Sequence, residues 1–336
     1  MSNQQNTQSD DLLEELSLLL NDHKGFVAVG LDMAASEHNW GVCVLAVSRD
    51  LNTAELTLLL PQARRNKDGS LSPTLICRPS LNILRAVIQS VADNGLKASL
   101  GVDVPFGWPV EHSRFVNGWS ALDGWQRPGE QLPTRSDFEK RLTDVELNNH
   151  DPLIQPFAVG ADTIAQAAYK WANCRSTLGG SIDFGLDDGS ASKGVGLASF
   201  ESYPAAFVNL VYPQHASYKS NPDERRKLLA SLRVDYPFAC VECEHTCAEC
   251  HDEQDECNHT CDECENVWLE WAINQKGSPD AYDALLCAIT AWGHLRWQAD
   301  NDRHPMTTPG FLLGTPVPQA TKERIHREGW ILVPSR

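Results

Sequence analysis

Four segments of this chain of 336 residues carry a carboxylate at the end of an apolar run or on an apolar helix. They are Val29-Gly30-Leu31-Asp32, Leu100-Gly101-Val102-Asp103, Ala198-Ser199-Phe200-Glu201 and Asp280-Ala281-Tyr282-Asp283-Ala284. Only a fold can bring them together, and a parallel or mixed sheet does so by aligning its strand ends. Carboxylates gathered at one edge repel one another unless a cation neutralises them. Oxygen-only ligand sets suit Mg²⁺ or Mn²⁺, and a two-metal hydrolase uses them to activate water and stabilise a phosphoryl transition state. Asp32, Asp103, Glu201 and Asp283 are therefore the candidate catalytic residues, with Asp32, Asp103 and Asp283 as ligands of two ions. Asp280 is a further candidate ligand, because its i, i+3 spacing puts it on the face of Asp283. Its other reading is an acid favoured by the dipole at a helix N-terminus. Glu201 ends a strand later in the chain and reads as a ligand, a base or a hydrogen-bond anchor behind the ligands.

Two cations are candidates for substrate phosphate: Arg141, through bidentate hydrogen bonds, and Lys219. Arg141 also stands three residues before Asp144, so an ion pair along a helix is its other reading, and a solvated side chain is that of Lys219.

A second constellation is Cys240-x2-Cys243-x3-Cys247-x2-Cys250-x6-Cys257-x3-Cys261-x2-Cys264. Inside it, Cys243-Glu-His245-Thr-Cys247-Ala-Glu-Cys250 and Cys257-Asn-His259-Thr-Cys261-Asp-Glu-Cys264 form a repeat. Two tetrahedral thiolate sites need eight ligands, and these cysteines with His245 and His259 supply them. The expectation is two structural Zn²⁺ ions, since a closed thiolate site leaves no position open for substrate. Residues 240–265 hold ten acids and no Lys or Arg, which suits a protein partner better than nucleic acid.

The elements that must position the carboxylates follow from periodicity. Apolar runs predict strands over 26–34, 40–47, 55–60, 98–104 and 195–200, and Leu81, Leu84, Val87, Ile88 and Val91 predict a helix over 81–92. Residues 10–22, 223–232, 267–273 and a long segment from Pro279 to about Trp297 read as further helices. Residues 105–196 interrupt the core as an insertion, and its stretch from Gly179 to Gly196 reads as a flexible loop or lid. Residues 1–24 read as a disordered tail with a short amphipathic helix, and 25–336 as one α/β domain: a mixed sheet flanked by helices, with a Cys-rich insert over 240–265. The tail from Met306 reads as packed.

The order β-β-β-α-β-α-β-α, with acids at the first strand, the fourth strand and the last helix, resembles the ribonuclease H-like fold. Several strings occur in sequence along the chain: Gly30-Leu31-Asp32-Met33-Ala34, Gly101-Val102-Asp103-Val104-Pro105-Phe106-Gly107-Trp108-Pro109, Arg141-Leu142-Thr143-Asp144, Glu201-Ser202-Tyr203-Pro204-Ala205-Ala206, Tyr218-Lys219 and Asp280-Ala281-Tyr282-Asp283-Ala284-Leu285. Together they resemble the predicted ribonuclease H-like nucleases catalogued as domain of unknown function 429, over about 26–335 apart from the Cys-rich insert. The resemblance implies a metal-dependent nuclease in which Asp32 matches the acid bridging both metals. It supplies no substrate, and DNA and RNA stay open. The alternative is a catalytically silent protein of the same fold that recruits a partner through its zinc-binding insert. An actin-like phosphotransferase shares the core topology, but Met33-Ala34-Ala35-Ser36 after Asp32 lacks the glycine of its phosphate hairpin.

The net charge of −17 argues at first against a nucleic-acid partner, but its distribution weakens the objection. Residues 240–265 contribute −10 and residues 1–24 contribute −4, leaving about −3 for the rest. No apolar run reaches the roughly 18 residues of a membrane span, and the polar N-terminus lacks the layout of a secretory signal. Seven of eleven cysteines at metal-ligand spacing favour a reducing compartment, so the expectation is a cytoplasmic protein without a membrane partner.

Overall fold

In the computed structural model the described residues are 23, 25–33, 40–60, 63–65, 71–73, 81–119, 135–152, 154, 156, 162–178, 197–240, 267–275, 280–300, 306–308, 311–312, 318–329 and 331–334. The strands are β1 Phe26–Asp32, β2 Gly41–Val47, β3 Ala54–Leu60, β4 Ala63–Arg65, β5 Leu71–Pro73, β6 Lys97–Asp103, β7 Leu197–Glu201, β8 Phe238–Cys240, β9 Met306–Thr308, β10 Phe311–Leu312 and β11 Val333–Pro334. The helices are α1 Leu81–Asp93, α2 Val110–Trp119, α3 Arg135–Glu139, α4 Leu142–His150, α5 Asp162–Leu178, α6 Pro204–Val211, α7 Pro222–Asp235, α8 Val267–Asn274, α9 Asp280–Ala299 and α10 Gln319–Glu328, with a 3₁₀ turn at Pro213–His215.

Six strands form one mixed sheet in the order β7-β6-β1-β2-β3-β8. β1 runs parallel to β6 and antiparallel to β2, and β6 runs parallel to β7. The central strands are largely apolar because both faces are covered. Val27, Val29 and Leu31 of β1 join Leu84, Val87, Ile88 and Val91 of α1 in one core. Ala28 of β1 with Cys43 and Leu45 of β2 join Leu285, Ile289 and Trp292 of α9 in the other. Helix α9 is apolar on nearly every side and buried from Asp280 to Leu295, as expected of a helix packed inside a domain.

Three glycines, Gly30, Gly41 and Gly101, let α9 approach the sheet closely. A Cβ at Gly30 of β1 would collide with the backbone of Ala284 and Ala288, and one at Gly41 of β2 with the carbonyl of Asp280. The first turn of α9 is thereby pressed onto the end of the sheet where β1 terminates.

Most elements form where the apolar periodicity predicts, with ends shifted by one to three residues. The insertion differs most. Among the described residues, 105–196 contain four helices, α2 to α5, of which the sequence anticipates only the one that begins after Arg141. In α5, Ala167, Ala168, Trp171 and Cys174 form a buried stripe in the core that β1 shares with α1, a pattern rich in small residues and weak in apolar contrast. The C-terminal tail is packed, as expected: β9 pairs with β10 and β11, and Glu328 and Ile331 are buried. The expected helix over 10–22, the expected lid over 179–196 and residues 241–265 lie outside the described residues.

Candidate active site

Asp32 ends β1 and Asp103 ends β6, and the two are register partners on neighbouring parallel strands. Parallel partners share a sheet face at a spacing of about 4.8 Å, so both carboxylates leave one edge side by side. Proline at 105 stops β6 just beyond Asp103. Among the described residues neither carboxylate has a hydrogen-bond or ion-pair partner. Burial pushes Asp32 far above the usual carboxylate range, and the charges of Asp103, Asp283 and Asp280 push it further. Burial likewise raises Asp103 to about 7; Lys219 opposes that rise, while Asp283 and Glu201 add to it.

Asp283 lies in the first turn of α9, where the helix dipole favours an acid. Both of its oxygens are engaged: the Tyr218 hydroxyl donates to Oδ1 at 2.8 Å, and the Lys219 ammonium stands 3.0 Å from Oδ2. Burial opposes the charge of Lys219, but Asp283, Asp103 and Asp32 outweigh it and the ammonium is held more firmly protonated than usual. Arg225 fixes the loop that presents Lys219. Its Nε donates to the Tyr218 carbonyl and its Nη2 to the Lys219 carbonyl, each at 2.8 Å, while Nη1 donates to Ile273 and Gln275 at the end of α8. Asp280 is buried one turn before Asp283 and adds to the field on Asp32.

Glu201 and Arg141 belong to an adjoining network. Glu201 pairs in register with Val102, one residue out of step with the Asp32–Asp103 level. Its Oε2 accepts from Arg141 Nη1 at 2.5 Å and from the Phe106 amide at 3.1 Å, and its Oε1 accepts from Arg141 Nη2 at 2.7 Å. Arg141 also donates to both oxygens of Asp144 and to the Glu328 carbonyl. A guanidinium has five N–H donors, and all five are engaged here. Arg141 is 2% exposed, so the substrate-phosphate role expected of it has no free donor to act with. Its ion-pair reading holds, extended to a strand sixty positions away. Glu201 acts as the hydrogen-bond anchor behind the carboxylate edge: it ties the segment following Asp103 to α4 and the C-terminal tail. Glu328 completes that tie, accepting from the amides of Val110 at 2.8 Å and Leu142 at 2.6 Å at the starts of α2 and α4.

Some site residues carry no signal in their local sequence. Tyr203 precedes α6, and burial followed by the charge of Asp103 raises its phenol to about 12. Cys287 lies one turn beyond Asp283 on α9, and its thiol is raised by burial and then by Asp103 and Asp32. Arg225 is recognisable only by its four carbonyl acceptors, which lie far from it in the chain or in the loop before α7.

The donor set fits a hard divalent cation in type and in charge: the carboxylates offer only oxygen, and Asp32 and Asp103 are short of counter-charge. Among the described residues, no three Asp, Glu, His or Cys side chains are grouped to cage one ion. Mg²⁺ accepts such a site, since it is commonly held by one or two carboxylates with the rest of its shell from water and substrate phosphate. Of the candidate zinc ligands, Cys240 ends β8 at the sheet edge. Cys243, Cys247, Cys250, Cys257, Cys261, Cys264, His245 and His259 lie outside the described residues.

A family model described as "Protein of unknown function (DUF429)" matches residues 30–306, a span from β1 to β9 that includes every carboxylate of the edge. The chain belongs to this family. No curated protein and no solved structure matches it. The family match includes the Cys-rich segment within its limits, and it assigns no activity. No helix among the described residues is long and apolar enough to cross a membrane.

Proposed function

We propose that this member of the DUF429 family is a divalent-metal-dependent nuclease that hydrolyses phosphodiester bonds at the Asp32–Asp103 edge. One observation carries the reading: two half-buried carboxylates in register on adjacent strands, both without an ion-pair partner among the described residues, beside the first turn of α9 with Asp283. A carboxylate pair that served only the fold would be matched by donors, as Glu201 is by Arg141. The topology supports the same reading. Antiparallel β3-β2-β1 continued by parallel β6 and β7, with α9 across one face, resembles the strand arrangement expected of a ribonuclease H-like core.

Asp32 and Asp103 would hold Mg²⁺ or Mn²⁺, with Asp283 alongside. Such an ion lowers the pKa of a bound water and offsets charge on a phosphoryl transition state. The chain's own groups do the positioning. Lys219 keeps donors free beyond its contact with Asp283, since an ammonium has three, and its side chain is 45% exposed. It can therefore meet a phosphate oxygen at the edge. Tyr218 orients Asp283, and Arg225 orients Lys219 through the loop backbone. The Glu201–Arg141–Glu328 network fixes the backbone of the segment that follows Asp103.

A second reading has one observation in its favour. The Lys219–Asp283 ion pair already satisfies one carboxylate, as in a protein that keeps the fold without the chemistry. Labelled single-stranded, duplex, branched and RNA–DNA hybrid substrates, incubated with the full chain and Mn²⁺, separate the two. The nuclease reading expects cleavage of at least one substrate and none by Asp32→Asn. Binding without cleavage by both chains would favour the silent protein.

A further inference from the structure

Lys219 combines features that a substrate-binding lysine does not need. Its ammonium is 3.0 Å from Asp283 Oδ2, the other oxygen of that carboxylate is taken by Tyr218, and Arg225 anchors the backbone of both residues. A surface lysine that waits for a phosphate is normally free to move; this one is pre-positioned on an acid of the candidate metal site. Its charge also acts on Asp103 and Asp32. Three carboxylates, Asp32, Asp103 and Asp283, against one ammonium leave two negative charges, which a single divalent ion balances. A second divalent ion would have to displace Lys219 from Asp283 and would leave the site positively charged once the lysine remained nearby. Asp280 adds a fourth acid, whose charge is partly offset by its place in the first turn of α9.

We propose that Lys219 is a built-in cation of this site: it stands at Asp283 where a second metal ion would otherwise bind, so the edge takes one divalent ion, held by Asp32 and Asp103. The inference rests on the nuclease reading of the edge and refines it from two metals to one metal and one ammonium. It also gives Lys219 a double role, because an ammonium fixed on Asp283 has donors left for the phosphate oxygen that a second metal would bind.

The test is calorimetric titration of Mn²⁺ into the full chain after chelation, with electron paramagnetic resonance to detect spin-coupled ion pairs. The unmodified chain should bind one ion at the edge, lost in Asp32→Asn, with no spin coupling. Zinc in the Cys-rich segment is counted separately by elemental analysis. Lys219→Met and the smaller change Lys219→Gln remove the competing charge. Each should bind Mn²⁺ at least tenfold more tightly or take up a second, spin-coupled ion. Circular dichroism and melting confirm that both variants are folded. Two coupled ions in the unmodified chain would overturn the inference and leave the metal-site reading standing. So would Lys219 variants that bind Mn²⁺ with unchanged or weaker affinity. Absence of Mn²⁺ binding by all of these chains, or binding that Asp32→Asn does not reduce, would overturn the reading of the edge itself.

Discussion

Replacing Asp103 by Asn should make the metal-free protein more stable at alkaline pH, although it removes a candidate ligand. The carboxyl is raised from its ordinary value near 3.8 to about 7, by burial and then by its neighbours. A folded-state pKa above the unfolded one means that the folded protein holds the proton more tightly. The group's contribution to stability is therefore present at low pH and is lost as pH rises from about 4 to about 7. Each tenfold change in proton affinity is worth about 1.36 kcal/mol, so the ionised carboxylate costs the fold at most roughly 4 kcal/mol above pH 7. Asn keeps the shape and carries no charge. In urea melts with chelator, Asp103→Asn should exceed the unmodified chain by about 2–4 kcal/mol at pH 8, by about 1 kcal/mol at pH 4.5, and by almost nothing at pH 3. Asp32 is raised by the same repulsion, so its own relief is included in that gain. Mn²⁺ at a hundred times its dissociation constant should return about 2.7 kcal/mol to the unmodified chain and nothing to the variant. A variant less stable than the unmodified chain at pH 8 would mean that Asp103 anchors the fold, and missing counter-charge would no longer mark this edge as a metal site.

Other perturbations give distinct outcomes. Arg141→Met leaves Glu201 and Asp144 buried without a counter-charge, each keeping one backbone amide donor, and should cost about 3–5 kcal/mol in urea melts; a loss below about 1 kcal/mol, the range of a solvated surface pair, would show that the network is open to water. Gly30→Ala drives a methyl into the backbone of α9 and should reduce the yield of folded protein or lower its melting temperature by several degrees, while Ala28→Gly at the neighbouring core position should fold. Elemental analysis of purified protein should find about two zinc ions per chain, and removal of residues 240–264 should abolish them, because thiolates at these spacings bind zinc strongly. Full zinc content in the deletion variant would remove the cysteines from consideration.

The sheet and α9 are legible in the sequence because their signals are local. The apolar run after Gly25 ends at Asp32, the run before Pro105 ends at Asp103, and α9 starts after Pro279. Strand ends marked by acids also make the carboxylate edge legible, once the two strands are taken as neighbours. The hidden parts depend on distant contacts. Arg141 and Asp144 are visible as an i, i+3 pair, but nothing near them announces Glu201 or the Glu328 carbonyl as partners. The Tyr218-Lys219 string points to a site, while its attachment to Asp283 and its anchoring by Arg225 arise only when α7, α8 and α9 meet. Helix α5 escapes because Ala and Cys on its buried face contrast little with its polar side.

The most direct test of the central claim is the metal dependence of cleavage by the full chain. Protein stripped with chelator should be inactive on every nucleic-acid substrate. Mn²⁺ should restore turnover with a saturation curve that coincides with its stabilisation of the same protein in melts, and Asp32→Asn should respond in neither measurement. Cleavage that persists in chelator, or that Asp32→Asn supports at the unmodified rate, would contradict the account.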